Sequence, residues 1–210
     1  MNTIFMFLVF MIWAKCLNYA AHILINKHKS FLGIPIFEFF TAFIFTALWL
    51  KSLFFPAYFL LFSALSITVI TDSKAMLISR FASLYLVPTG IIASYFDLLP
   101  LEWTESLIGS IAGYLFLYLV NAVFSLIKKQ RGLGQGDLDL LALIGSYTGV
   151  IGCWFTILYA STLGTISTLT YMAYSKKRLK TIPFGPFISI GAILFILCQE
   201  SLLSYIIDKF

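Results

Sequence analysis

Residues 107–127 have the sequence LIGSIAGYLFLYLVNAVFSLI, which contains no charged side chain. About 20 apolar residues in a helix are enough to cross the hydrocarbon core of a bilayer, so this stretch predicts a transmembrane helix. The rest of the chain has the same character: of its 210 residues, 60% are hydrophobic and 11% are charged, and the mean hydropathy is +0.97. Soluble domains are about half apolar and about a quarter charged. The composition therefore excludes a soluble protein and predicts an integral membrane protein.

Hydrophobic runs separated by charged or Pro- and Gly-bearing breaks predict an all-α fold, a polytopic transmembrane helix bundle that forms one domain over residues 1–210. The eight predicted segments cover residues 3–25, 34–50, 53–70, 81–96, 107–127, 138–151, 153–174 and 187–207. The sixth is too short to cross comfortably by itself, and Gly145, Gly149 and Gly152 loosen its far end. We expect it to be a half-helix that turns back or a tilted helix inside the bundle, and its boundary with the seventh segment stays open.

Most of the basic residues fall in alternate connections, on one side of the predicted bundle. This side contains Lys27, Lys29, Lys74, Arg80, Lys128, Lys129, Arg131, Lys176, Lys177, Arg178 and Lys180. The positive-inside rule places these connections in the cytoplasm and both termini outside it. The formal net charge of +5 is thus explained by topology and by contact with lipid headgroups, and no solvated basic face suggests a nucleic-acid partner.

The cysteines and histidines argue against a metal site. Cys16, Cys153 and Cys198 are far apart in apolar runs and form no CxxC pair, so we expect three buried small apolar residues and neither zinc nor a disulfide framework. His22 and His28 are the only histidines, which excludes a His-rich metal site and argues against a Ser-His-Asp triad.

Four acidic residues do not follow the topology pattern: Glu38, Asp72, Asp137 and Asp139. Asp72 ends the third predicted segment and Asp137 opens the sixth, so both lie at cytoplasmic ends of helices, at similar depth. Ionisable groups near hydrocarbon are costly and are candidates for function. A cap or a loop salt bridge explains either aspartate alone equally well.

Two carboxylates together support a particular chemistry. An ionised aspartate can take a proton from water while a protonated partner polarises a peptide carbonyl, and two carboxylates held close share one proton because both cannot ionise. Gly134 and Gly136 precede Asp137 and permit close approach of a substrate strand beside free N–H groups at a helix start. This pattern indicates peptide hydrolysis without a metal or a covalent nucleophile.

The sequence Gly134-Gln135-Gly136-Asp137 resembles the GxGD motif of membrane aspartyl proteases, and residues 132–145 are similar to its form in the prepilin peptidase (type IV leader peptidase) family. Four further segments resemble that family in the same order: Leu17-Asn18, Ile34-Pro35-Ile36-Phe37-Glu38-Phe39-Phe40-Thr41-Ala42, Thr71-Asp72-Ser73-Lys74-Ala75-Met76-Leu77-Ile78 and Ile182-Pro183-Phe184-Gly185-Pro186-Phe187. Five ordered segments with matching spacing and sidedness make the resemblance specific.

The resemblance implies a multi-pass protein of the bacterial cytoplasmic membrane whose catalytic pair is Asp72 and Asp137. The implied substrates are prepilin or pseudopilin precursors, cleaved after a basic leader on the cytoplasmic side, and peptidase activity needs no cofactor. Gly134, Gly136, Glu38 and Asp139 are candidates for binding the substrate or shaping the loops around the site.

Three departures from the family pattern concern its second activity and its loops. Some family members also N-methylate their product with S-adenosylmethionine, and these have a zinc-binding loop with cysteines between the first two helices. Residues 26–33 of this chain contain no cysteine. This argues against both zinc and S-adenosylmethionine as cofactors. Asp139 replaces a common lysine; we expect it to be a solvated first-turn residue, the alternative being contact with the basic leader. Ser79-Arg80 stands where the family usually has a proline, after the first aspartate segment, so we expect that loop to have a different shape.

Glu38 is expected to cap the second helix or pair with Lys27 or Lys29.

Two alternatives belong to other functional classes. An ion- or proton-coupled transporter also uses carboxylates within the membrane, although it places them near the midplane, between inverted repeats that the hydropathy does not show. A catalytically silent scaffold would bind pilin-like helices without cutting them. The sequence does not identify the pathway or the oligomeric state.

Overall fold

The computed structural model describes residues 3–25, 35–51, 54–129, 132–175 and 182–207, and these ranges contain helices and turns but no strand. The helices are α1 (Thr3–Leu24), α2 (Pro35–Lys51), α3 (Phe55–Ala75), α4 (Val87–Tyr95), α5 (Trp103–Lys128), α6 (Gln135–Ser175) and α7 (Gly185–Ile207), and a short 3₁₀ helix (Leu84–Leu86) precedes α4. By length and composition α1, α3, α5 and α6 can each cross a membrane. The predicted all-α membrane bundle is confirmed.

Helix α6 contains a reversal of chain direction at Gly149, whose φ of 68° and ψ of −172° are not helical. The Cys153 Sγ lies 3.9 Å from the carbonyl oxygen of Leu141, whereas a continuous helix would separate these residues by about 18 Å. Both also lie beside Gly113 of α5. The sixth and seventh predicted segments are therefore two antiparallel halves of α6, and their boundary is Gly149.

Glycines line the interface between α5 and the first half of α6. A methyl group on Gly109 would collide with the carbonyl of Gly145, and one on Gly145 would collide with the carbonyl of Gly109. One turn further along α5, Gly113 faces the Leu141 carbonyl in the same way. Small residues at this spacing let two helix backbones approach closely, which is how helices associate in lipid.

The fourth predicted segment, residues 81–96, does not form a complete span. Turns continue to Ser83, the 3₁₀ helix and α4 follow, and the chain leaves the helix at Phe96 before Asp97, which has a φ of 54°. Twelve helical residues are about 18 Å long, against about 30 Å of hydrocarbon. The predicted count of about eight membrane segments, with the sixth short, is therefore not confirmed.

Helix packing brings three helix ends together. Helix α3 packs against α1 and α7, α7 packs against α6, and α6 packs against α5. The C-terminal end of α3 consequently meets the N-terminal ends of α6 and α7. We call this end of the bundle, marked by Asp72, Asp137 and Gly185, the aspartate end. Large apolar side chains on the outer faces of α1, α5 and α6 are exposed, as a surface in contact with lipid requires.

Candidate active site

Asp72 lies in the last turn of α3, which continues to Ala75. Its side chain is 5% exposed, and its Oδ2 accepts a hydrogen bond of 2.9 Å from the backbone N–H of Gly185. Gly185 is the first residue of α7, where the N–H groups have no partner within the helix and the helix dipole is positive. The start of α7 is thus built to hold the Asp72 carboxylate.

Asp137 lies in the first turn of α6 and is 6% exposed. Its Oδ2 accepts a hydrogen bond of 3.2 Å from the N–H of Gly134, which precedes the helix. A carboxylate that reaches back from the first turn in this way is typical of a helix N-terminus. Asp137 is therefore the third residue of the helix and not the N-cap that the capping alternative predicts, and this hydrogen bond occupies only one carboxylate oxygen.

The structure brings Asp72 and Asp137 together. Asp72 binds the N–H of the first residue of α7, and Asp137 lies in the first turn of α6. Ile78, from the connection after α3, packs between the helix starts that support them: a Cβ on Gly136 would lie 2.5 Å from the Ile78 Cβ, and one on Gly185 would lie 3.1 Å from the Ile78 Cδ1. Among the residues that the structure describes, the Oδ1 atoms of both aspartates accept no hydrogen bond and are available to a substrate or a water molecule.

Asp139 is not the solvated residue that the sequence predicts. It is 2% exposed, and its Oδ2 lies 3.7 Å from the Nε of Arg80. The prediction is wrong because the connection between α3 and α4 packs over this turn of α6 and excludes water from it. The alternative, contact of Asp139 with a basic leader, stays untested.

Glu38 is buried where α1 meets α2, and its Oε1 accepts a hydrogen bond of 3.2 Å from the Nδ2 of Asn18. The predicted partners Lys27 and Lys29 lie outside the described residues. On the next turn of α1, the His22 Nε2 lies 3.1 Å from the Lys74 Nζ of α3. These polar contacts join α1 to α2 and α3 beside the Asp72 turn.

Two supporting residues were missed by the sequence reasoning. Gly185 is noted in the sequence only as part of a segment that resembles the family, but its N–H binds Asp72. Asn121 of α5 accepts hydrogen bonds of 3.1 Å from the N–H groups of Gly132 and Leu133, and so anchors the turn before Asp137. The sequence feature that could have identified Asn121 is its side-chain amide, which stands alone near the end of an apolar helix.

The cysteine prediction is only partly right: Cys153 is buried, whereas Cys16 and Cys198 are exposed. In the part of the chain that the structure describes, no three His, Cys, Asp or Glu side chains are grouped closely enough to bind one metal ion. The chemistry that the described site offers is that of two neighbouring carboxylates.

The chain matches a known protein family. The type IV leader peptidase family matches residues 59–169, slightly more than half of the chain, and the match includes both Asp72 and Asp137. No solved structure matches the chain.

Several curated proteins are similar to the chain. The prepilin leader peptidase/N-methyltransferase of Bacillus subtilis (strain 168) is 32% identical over 189 residues, which cover 86% of this chain and 72% of that protein. The type 4 prepilin-like proteins leader peptide-processing enzyme of Escherichia coli O78:H11 is 32% identical over 111 residues, which cover 53% of this chain and 40% of that protein. The prepilin leader peptidase/N-methyltransferase of Pseudomonas aeruginosa is 33% identical over 121 residues, which cover 57% of this chain and 41% of that protein. The matched region is thus about two fifths of the E. coli and Pseudomonas proteins.

Proposed function

The chain belongs to the type IV leader peptidase family, and from that premise we propose that it is a membrane aspartyl endopeptidase that removes the leader from type IV prepilin-like precursors. The observation that carries the proposal is the pairing of Asp72 with Asp137. Both are buried, each is oriented by one backbone N–H, and the helix starts that hold them contact the same side chain, Ile78.

The pair hydrolyses a peptide bond by general acid–base catalysis. The ionised aspartate removes a proton from a water molecule as the water oxygen attacks the scissile carbonyl carbon, and the protonated aspartate donates a hydrogen bond to the carbonyl oxygen. Collapse of the tetrahedral intermediate breaks the C–N bond, and a proton transferred from the pair leaves with the new amine. Because the carboxylates share one proton, acid and base are present at the same pH.

The proposed substrate has a basic leader followed by a hydrophobic helix. The aspartate end lies at the ends of α3 and α5, where Lys74, Lys128 and Lys129 are exposed, whereas Glu102 and Glu105 begin α5 at the opposite end. Under the positive-inside rule this charge asymmetry supports an active site at the cytoplasmic face of a bacterial cytoplasmic membrane. A pilin-like helix could then remain in the bilayer while its leader reaches the aspartates from the cytoplasm.

We propose the peptidase activity without the methyltransferase activity named for the Bacillus and Pseudomonas relatives. Residues 26–33, between α1 and α2, include no cysteine that could bind zinc. We therefore expect neither zinc nor S-adenosylmethionine to be required for cleavage.

The test is cleavage of a purified prepilin-like precursor by the detergent-solubilised protein, followed by N-terminal sequencing and mass measurement of the product. We expect Asp72→Asn and Asp137→Asn each to lower kcat by about 10²- to 10⁴-fold, because each removes one member of the acid–base pair. The mass measurement should show an unmethylated N-terminus with or without added S-adenosylmethionine.

Asp97→Asn is the matched control. It makes the same chemical change at an exposed residue in the connection between α4 and α5, and asparagine tolerates the φ of 54° there. Full cleavage by both active-site variants would refute the proposed function. Proton-driven solute uptake into proteoliposomes without proteolysis would favour the transporter instead.

A further inference from the structure

Residues 76–80 follow α3 and form a short segment, here called the bridging segment, that contacts both helix starts at the aspartate end. Its central residue, Ile78, fills the space beside Gly136 of α6 and Gly185 of α7. Gly136 is adjacent to Asp137 in the chain, and Gly185 donates its N–H to Asp72. The position of Ile78 is therefore linked to both carboxylates.

The bridging segment ends at an ion pair. The Arg80 side chain is 55% exposed, and its Nε lies 3.7 Å from the Oδ2 of Asp139, whose side chain is 3% exposed. That Oδ2 accepts no hydrogen bond within the described part of the chain. A carboxylate in such surroundings is costly unless a positive charge lies nearby. Arg80 supplies that charge, and the ion pair therefore stabilises the position of Arg80 against α6.

The location of Asp139 on α6 separates its role from that of Asp137. Two residues along a helix correspond to a rotation of about 200°, so the two side chains leave α6 in nearly opposite directions. Asp137 faces Asp72, whereas Asp139 faces the connection between α3 and α4. This arrangement suits an attachment point for the bridging segment better than a second contact to the scissile peptide.

We propose that Arg80 and Asp139 are positioning residues: their ion pair holds the bridging segment against α6, which keeps Ile78 between Gly136 and Gly185 and so fixes the spacing of Asp72 and Asp137. This inference rests on the proposed peptidase function. It assigns to Arg80 and Asp139 a joint effect on catalysis without contact to substrate.

The experiment is a double-mutant cycle with Arg80→Gln, Asp139→Asn and the double variant, in which kcat, KM and thermal unfolding are measured for the detergent-solubilised protein with a prepilin-like precursor. Each single variant should lower kcat about tenfold and change KM less than about twofold, because small misplacement of catalytic groups affects the chemical step. The double variant should be no slower than either single variant. Arg80→Lys, which keeps the charge, should recover most of the wild-type kcat.

The same cycle separates positioning from stability. Arg80→Gln leaves a buried carboxylate without its cation and should lower the unfolding temperature, whereas the double variant removes both charges and should recover it. We expect kcat to stay low in the double variant, because the bridging segment is still unattached. Recovery of kcat together with stability would overturn the proposal.

Two matched controls complete the test. Lys128→Gln removes an exposed basic side chain at the same end of the bundle and should leave kcat unchanged. Ile78→Ala should lower kcat, whereas Leu77→Ala, at a neighbouring side chain that is 59% exposed, should not. Unchanged kcat in Arg80→Gln, or a raised KM with unchanged kcat, would contradict the positioning role. Absence of cleavage by the wild-type protein would instead refute the proposed function, which keeps the two failures distinct.

Discussion

Asp72 and Asp137 are buried to the same degree, but they are held in different ways. The Asp137 carboxylate binds the N–H of Gly134, three residues earlier in the chain, whereas the Asp72 carboxylate binds the N–H of Gly185, 113 residues later. The first contact can form as soon as the first turn of α6 folds. The second forms only after α3 and α7 have docked.

This difference teaches that half of the candidate site depends on local structure and half on the packing of the bundle. Changes that move α7 relative to α3 should affect Asp72 while leaving the turn around Asp137 intact. Changes at residues 132–134 should have smaller effects, because Gly132 and Leu133 have contacts of their own with α5. Substitutions at three supporting residues test this comparison.

Gly185→Ala should have the largest effect of these substitutions. A Cβ at this position would lie 2.7 Å from the Asp72 Oδ2 and 3.1 Å from the Ile78 Cδ1, so either Asp72 or α7 must move. Because alanine favours helix, α7 should still form. We expect kcat for precursor cleavage to fall about a hundredfold, as displacement of a catalytic group by about 1 Å can do.

The control for this variant is Gly164→Ala. A Cβ on Gly164 would make only ordinary contacts, 3.6 Å from the Phe187 ring. We expect wild-type kcat and an unchanged or slightly raised unfolding temperature for this variant. If Gly185→Ala also kept wild-type kcat, the contact between α7 and Asp72 would have no part in catalysis.

Asn121→Ala tests the support that the turn before Asp137 receives from α5. It removes the acceptor for the N–H groups of Gly132 and Leu133, but both groups are near enough to the surface for water to replace it. Each hydrogen bond is worth about 1 kcal/mol or less under these conditions, so we expect kcat to fall about fivefold. Asn121→Asp keeps the acceptor oxygen and should retain most of the activity. Equal losses in the two variants would show that the amide does not act through these hydrogen bonds.

The contrast between the aspartates also explains what the sequence could predict. The Asp137 turn is encoded by consecutive residues, so Gly134, Gly136 and Asp137 could be identified from their spacing. The contact of Asp72 with Gly185 and the burial of Asp139 arise from packing between distant segments, which neither hydropathy nor spacing reports. The reversal in α6 lies between these cases: the glycines after residue 144 indicated a weak helix, but only the fold identifies Gly149 as the residue with positive φ.

Hydropathy also overestimated the fourth segment, because it measures how apolar a stretch is and not how long its helix continues. Residues 81–96 are apolar enough to enter a bilayer, yet α4 is confined to Val87–Tyr95. Pro88 is favourable only in the first helical turn, and the positive φ of Asp97 follows the end of the helix. Local backbone rules of this kind limit the length of the helix within the predicted segment.

Gly134→Ala should have the smallest effect and therefore gives the sharpest test of the comparison. A Cβ on Gly134 would lie 3.3 Å from the Asp137 Oδ2, so a shift of a few tenths of an ångström would relieve the contact. Gly134 does not have a positive φ, and alanine can adopt its conformation. The N–H that binds Asp137 is retained, and we expect kcat to fall about twofold. When both variants are measured in one assay, the loss of kcat in Gly185→Ala should be more than tenfold larger than the loss in Gly134→Ala. Equal losses of kcat would mean that catalysis depends as strongly on the local contact at Asp137 as on the contact between helices at Asp72.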